Sequence, residues 1–172
     1  ILGVLNQLKS KGFPEKGFDI VFSSTIPMGA GLSSSAALEC GFGYAMNKMF
    51  QLGLSKEEIA KIGQLSEHNF VGVKCGIMDQ FASVFGKENH VIFLDCDTLD
   101  YQYAPADFGD YTLLLLNTNV KHNLQTSEYN NRRKECEAGI ALIQSKYPEV
   151  KNFREATMEM VEDLKEEMGD VL

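Results

Sequence analysis

Apolar residues recur at helical spacing from the first position of the chain. Ile1, Val4, Leu5 and Leu8 fall on one face, which predicts the end of an amphipathic helix over residues 1–11. Gly12 to Gly17, with Pro14 between them, reads as a loop. Phe18, Ile20 and Phe22 then alternate with other positions and predict a strand over 18–25, although Val21 blurs the pattern. From 33 to 50 the period returns to helical, with Ala36, Ala37, Cys40, Gly41, Tyr44, Ala45 and Met49 forming a narrow stripe of mostly small residues. Small side chains there predict close packing on a sheet. Ser55-Lys56-Glu57-Glu58 has the spacing of a capping box. It predicts a helix from 55 to about 70 with Ile59, Ile62, Leu65 and Phe70 turned inward. After a connection over 71–76, residues 77–85 predict a short helix closed by Gly86.

Three strand candidates follow. His90–Cys96 and Tyr101–Ala104 flank an Asp-Cys-Asp-Thr turn and predict a hairpin. Tyr111–Val120 contains the unbroken run Leu113 to Leu116, which predicts a strand buried on both faces. Residues 126–146 read as a helix ended by Pro148, and 156–168 as a last, acidic helix. The chain carries no internal repeat and no low-complexity segment.

Composition adds limits. The chain has 172 residues, 44% hydrophobic and 23% charged, enough for one core or parts of two. Its net charge of −8, from 16 basic and 24 acidic residues, argues against nucleic acid or an anionic membrane as partner. A nucleotide needs only a local pocket and stays open. Cys40, Cys75, Cys96 and Cys136 form no C-x-x-C pair, so a reduced, cytoplasmic thiol set is expected rather than zinc or redox chemistry. His68, His90 and His122 are scattered and read as surface or core side chains. No apolar run reaches membrane-spanning length, and no basic-then-apolar stretch opens the sequence. The chain starts on Ile1, already in helical period, and stops within an unfinished element, so it is expected to be an internal fragment of a longer protein.

The candidate chemistry centres on Pro27-Met28-Gly29-Ala30-Gly31-Leu32-Ser33-Ser34-Ser35-Ala36-Ala37. Gly29 and Gly31 permit positive φ or close approach to a ligand. The serines sit where a helix begins, with unpaired N–H groups and the positive dipole end facing outward, which favours a phosphate. The Walker lysine is absent, and a tight turn with a serine N-cap reads equally from these residues. Asp79, in Cys75-Gly76-Ile77-Met78-Asp79-Gln80-Phe81, is either a first-turn acid favoured by the dipole or a carboxylate that orients a hydroxyl and takes its proton. Glu67 falls near the predicted end of a helix, where acids are disfavoured. It is a surface accident or half of a Mg²⁺ site, since that ion takes few carboxylates plus phosphate oxygens and waters. Tyr129 is a core residue or a sugar contact, and Arg132-Arg133-Lys134 reads as a solvated face balanced by Glu135 and Glu137.

Together these strings resemble the GHMP small-molecule kinases. Residues 27–37 are similar to their P-x-G-x-G-L-x-S-S-A phosphate loop. Within the family the likeness is to the branch that phosphorylates galactose, through Gly76-Ile77-Met78-Asp79-Gln80 and through Asn117-Thr118-Asn119-Val120-Lys121-His122 with Ser127-Glu128-Tyr129 and Arg132-Arg133. The resemblance runs from about residue 18 to 137. It implies an α+β fold in two lobes. Residues 1–107 would be an ATP-binding lobe of ribosomal-protein-S5 type lacking its first strands, and 108–172 the start of a ferredoxin-like second lobe. It implies ATP and Mg²⁺ as cofactors, with Gly29, Ala30, Gly31, Leu32, Ser33, Ser34 and Ser35 around the phosphates and Ser35 and Glu67 on the metal. Asp79 would be the base at the anomeric hydroxyl of galactose, and Tyr129 would touch the sugar.

Two family motifs are not in this sequence. One is the N-terminal G-R-x-N-L-I-G-E-H-x-D-Y string, which supplies an arginine and most sugar contacts. The other is the C-terminal glycine-rich motif that closes over the nucleotide. The 172-residue chain alone is therefore expected to show little or no turnover. Two alternatives follow from the same gap: a kinase for N-acetylgalactosamine or another sugar, and a sugar sensor that binds without turnover. The intact Ser33-Ser34-Ser35-Ala36-Ala37 run favours the enzyme over the sensor. Oligomeric state is not encoded in any of these strings.

Overall fold

The computed structural model describes residues 1–14, 16–28, 31–116 and 125–169. The elements in chain order are α1 (Leu2–Lys9), α2 (Ser34–Phe50), α3 (Lys56–Ser66), a single π-helical turn (Glu67–Val71), α4 (Met78–Phe85), β1 (His90–Leu94), β2 (Tyr101–Pro105), α5 (Gln125–Lys146), α6 (Met158–Asp163) and α7 (Lys165–Met168). Helices and an antiparallel hairpin coexist, so the content is α+β. Contacts divide the chain into two compact units, Ile1–Asn123 and Leu124–Leu172.

In the first unit α1, α2 and α3 pack around Val4, Leu8, Phe13, Phe42, Met46 and Ile62, and α4 packs on α2 and α3. The start of α3 is fixed locally. Glu58 N–H donates to Ser55 Oγ at 3.1 Å and Ser55 N–H donates to Glu58 Oε2 at 3.0 Å, the reciprocal capping box expected from the sequence. The α2–α3 corner is closed by Asn47, buried, whose side chain donates to Leu54 O and accepts from Leu54 N–H, both at 2.9 Å. The hairpin pairs His90 with Pro105 and Leu94 with Tyr101. Its turn is held by Asp95 Oδ1, which accepts from the N–H groups of Asp97 and Thr98. Tyr103 Oη donates to Phe85 O at 2.6 Å and ties the hairpin to the end of α4, beside the stacked rings of Phe81 and Phe85.

Several expectations are corrected. Phe18 to Thr25 is extended but joins no sheet; among the described residues the only sheet is β1–β2. The alternation reports facing rather than pairing: Phe18 and Phe22 lay their rings toward Phe42 at 5.9 and 6.2 Å, while Val21 is 94% exposed. Residues 111–116 form no strand, and Leu113 to Leu116 are 63–79% exposed, so their unbroken hydrophobicity does not translate into burial; 117–120 lie outside the described residues. On α2 the buried face runs through Ala36, Glu39, Cys40, Phe42, Gly43, Met46 and Asn47, and Tyr44 and Met49 point away from it. On α3, Ile59 and Ile62 are buried as expected, but Leu65 and Phe70 are exposed. The buried stripe there continues through Ala60, Gly63 and Ser66. The wider π turn then carries Phe70 off that face.

In the second unit Ile143, Val150 and Leu164 form the core. The single helix expected over 156–168 is divided at Leu164, whose backbone leaves helical angles (φ −110°, ψ 6°) while its side chain is buried. Thr157 caps α6 by accepting from Met160 N–H at 3.3 Å.

Asn47→Ala removes both bonds to Leu54 and leaves a buried corner unpaired. It is expected to lower stability by about 1–3 kcal/mol, read as a lower urea midpoint at unchanged slope.

Candidate functional site

Of the glycine-serine loop, Gly29 and Ala30 lie outside the described residues. Gly31 has φ +73°, a turn conformation suited to glycine. Leu32 is exposed. Ser33 is the N-cap of α2 by position, yet it takes left-handed angles (φ 54°, ψ 45°) and makes no side-chain capping bond. The simple reading of this serine as a side-chain cap is therefore not realised. A non-glycine residue held there costs on the order of 1 kcal/mol, and such strain concentrates at ligand-holding loops. Ser34 and Ser35 open the helix, their backbone N–H groups among the unpaired donors of its first turn. Ser34 and Ser35 also border an apolar groove of about 880 Å³ between the extended segment and α2, lined by Phe18, Ile20, Phe22 and Leu38.

Asp79 lies in the first turn of α4 and is exposed. Its helix packs against α2 close to the loop. Cys40 Sγ donates to Gln80 O at 3.7 Å, and Cys40 is only five residues past Ser35, about 7.5 Å along a helix axis. The contact joins the second turn of α2, past the serines, to the first turn of α4, which carries Asp79.

Glu67 is buried, which overturns the reading of a surface accident. It opens the π turn, a rare element that favours functional sites. Its carbonyl accepts from Gly72 N–H at 2.8 Å and Val73 N–H at 3.0 Å. The connection from there to α4 is stapled at one atom. Cys75 O accepts from Gln64 Nε2 at 3.2 Å and from His68 Nε2 at 2.7 Å. A carbonyl only accepts, so neutral His68 carries its proton on Nε2.

A second carboxylate is present that the sequence reading did not single out. Glu39 is 6% exposed. Burial, and then the charge of Glu67, push its pKa up to about 7, against the hydrogen bonds it accepts from Ser66 and Gln80. The signal was in the sequence: Glu39 is the only charged side chain between Gly31 and Asn47. Burial, then the nearby Glu39 charge, lift the Cys40 thiol to about 12, and burial raises Cys75, so neither thiol is a nucleophile. Among the described residues no three His, Cys, Asp or Glu side chains gather into a self-sufficient metal site. A serine hydroxyl and a buried carboxylate are the donor types that Mg²⁺ takes when phosphate oxygens and waters complete its shell. By that chemistry Ser35 and Glu67 fit the ion.

Tyr129, on α5 in the second unit, is 46% exposed and so is not a core residue. Arg132 pairs with Glu135 at 2.7 Å and Arg133 with Glu137 at 2.9 Å, the balanced solvated face expected. Asn117 to His122 lie outside the described residues.

Residues 1–87 match the family model for the GHMP kinases N terminal domain. The chain is 50% identical over 143 residues to the galactokinase of Thermosipho africanus, covering 83% of this chain and 41% of the relative. Over all 172 residues it is 47% identical to the galactokinase of Thermotoga neapolitana, covering 47% of that protein. It thus spans about half the length of the curated relatives it matches. Among solved structures it superposes on Lactococcus lactis galactokinase complexed with galactose, with a TM-score of 0.84 at 32% identity, covering 98% of this chain and 43% of the other. On these matches, the chain belongs to the GHMP kinase family.

Proposed function

We propose that the chain belongs to an enzyme that transfers the γ-phosphoryl group of ATP to the C1 hydroxyl of galactose, giving galactose 1-phosphate. The observation that supports this reading is the packing of α2, which opens on the strained serine turn, against the Asp79-bearing first turn of α4 through Cys40 and Gln80. Its resemblance to bacterial galactokinases names the sugar. In finer detail, we read residues 1–107 as an S5-type ATP-binding lobe and 108–172 as the start of a ferredoxin-like lobe, in a cytoplasmic protein. The free state of all four cysteines fits that compartment.

The backbone N–H groups of residues 29–35 hold the phosphates at the dipole-positive start of α2. Ser35 and Glu67 hold Mg²⁺, which when bound neutralises charge on the transferring phosphate. Asp79 orients the sugar hydroxyl in line with the phosphorus and accepts its proton, and Tyr129 contacts the sugar. Phosphoryl transfer passes through a loose transition state, so most of the rate comes from positioning and charge complementarity. Glu67 suits its role because the folded chain already bears the burial of that carboxylate.

In a protein that carries this chain within the full length of its relatives, Asp79→Asn is expected to lower turnover at least ~10²-fold, the scale of a positioned general base. Because Asp79 is exposed, the melting temperature should not move. A near-wild-type rate in a coupled ADP-release assay removes Asp79 from the mechanism. Glu67→Gln in the same protein should shift the Mg²⁺ titration of the rate to higher concentration while leaving the galactose KM in place. An unchanged Mg²⁺ titration assigns the ion to other donors.

A further inference from the structure

Two buried oxygen atoms in the first unit lack any hydrogen-bond partner: Glu39 Oε2 and Gln80 Oε1. Both belong to side chains almost wholly removed from water, 6% and 2% exposed. The two side chains are already joined, since Glu39 accepts from the Gln80 amide as well as from Ser66. As a carboxylate, Glu39 can only accept, and so can the Gln80 carbonyl oxygen. Two acceptors on adjoining groups cannot satisfy each other, and buried polar atoms are nearly always paired.

One proton resolves both vacancies. With hydrogen on Oε2, the Glu39 carboxyl becomes a donor to Gln80 Oε1 while still accepting from the Gln80 amide. The result is the closed two-bond ring that a carboxylic acid forms with a primary amide. We propose that Glu39 is a positioning residue, paired in this way as a neutral acid with the Gln80 side chain, and that the pair locks the first turn of α4, with Asp79, onto α2.

The surroundings support the pairing. The backbone of α3 closes over it at Gly63, where a Cβ would stand 3.1 Å from Gln80 Cγ, 3.0 Å from Cys40 Sγ and 3.7 Å from Glu39 Cβ. Around the carboxyl, burial and then the Glu67 charge on the π turn oppose ionisation, and the Ile1 amino group acts the other way. Cys40 and Cys75 stay protonated and add no charge. Gln80 directly follows Asp79, and its carbonyl also accepts from Cys40. Gln80 is therefore held to α2 by side chain and backbone together.

The pairing makes an unusual demand on substitutions. Glu39→Gln replaces the acid by an amide that can form the same ring, donating from its own NH₂ to Gln80 Oε1. A role for Glu39 as a charged group, on a metal or otherwise, would be destroyed by that change. The test uses the 172-residue chain first. Thermal unfolding should place Glu39→Gln at or above the wild type and Glu39→Ala and Gln80→Leu well below it. The Glu39 carboxyl carbon should show the chemical shift of a protonated acid at about pH 6, where an ordinary glutamate is ionised. A Glu39→Gln variant as damaged as Glu39→Ala, or an ionised shift at that pH, overturns the pairing. The link to Asp79 rests on the kinase reading and is tested in the relatives-length protein. Glu39→Ala should lower kcat at least ~10-fold with little change in the KM for ATP, and Glu39→Gln should restore it. If Glu39→Ala leaves kcat intact, the positioning role is wrong. Absence of sugar phosphorylation in the wild type itself sinks the kinase reading, while the melts and the carboxyl shift still decide the pair.

Discussion

The close approach of α2, α3 and α4 at Gly63 is the constraint on which the rest of the first unit depends. A Cβ at that position would stand 3.0 Å from Cys40 Sγ and 3.1 Å from Gln80 Cγ, so bare backbone on α3 spares the three helices a shift at their meeting point. The neighbouring positions on the same face are also small, Ala60 and Ser66. Gly3 makes the matching concession on α1, where a Cβ would overlap Ser66 Oγ and crowd Phe70. Helices that approach this closely are rigid supports. The serines and Asp79 sit on their opening turns, so their separation is set by a packed core, which holds a reacting geometry better than loops do.

A second layer of positioning runs through polar atoms. The chain between the π turn and α4 has no regular structure, yet it must deliver Asp79 to one place. Gln64 and His68 converge on the carbonyl of Cys75, and Gly72 and Val73 converge on that of Glu67. Each carbonyl has two lone pairs and both are used. Gly72 makes the reversal possible with φ +84°. Gln64 and His68 are four positions apart, the spacing at which side chains on a helix face the same way, so both reach back over the same connection.

How much of this was legible in the sequence depended on how local the cause was. The capping box at Ser55 and Glu58, the short helix over 78–85 and the hairpin around Asp95 are decided within a few residues, and the sequence showed all three. The strand expected at 18–25 needed a pairing partner, which alternation cannot report; what alternation did report was that Phe18 and Phe22 face α2. Leu113 to Leu116 failed for the same reason, because hydrophobicity states a preference for burial and not that a surface is available. Phe70 was misplaced because a π turn changes the angular step that a 3.6-residue period assumes. The candidate site divides along similar lines. Its loop and Asp79 were visible as strings. The burial of Glu67 and the whole of the Glu39–Gln80 contact, between residues 41 positions apart, were not.

That contact bears on how the site distributes charge. Burial, and then the charge of Glu67, raise the pKa of Glu39. One of the two carboxylates has an amide partner able to exploit a proton, and the other opens an irregular turn beside the loop that leads to Asp79. In the proposed pairing, a neutral Glu39 would serve the same end as the glycine at 63: each removes something, a charge or a side chain, from the place where α2 and α4 meet.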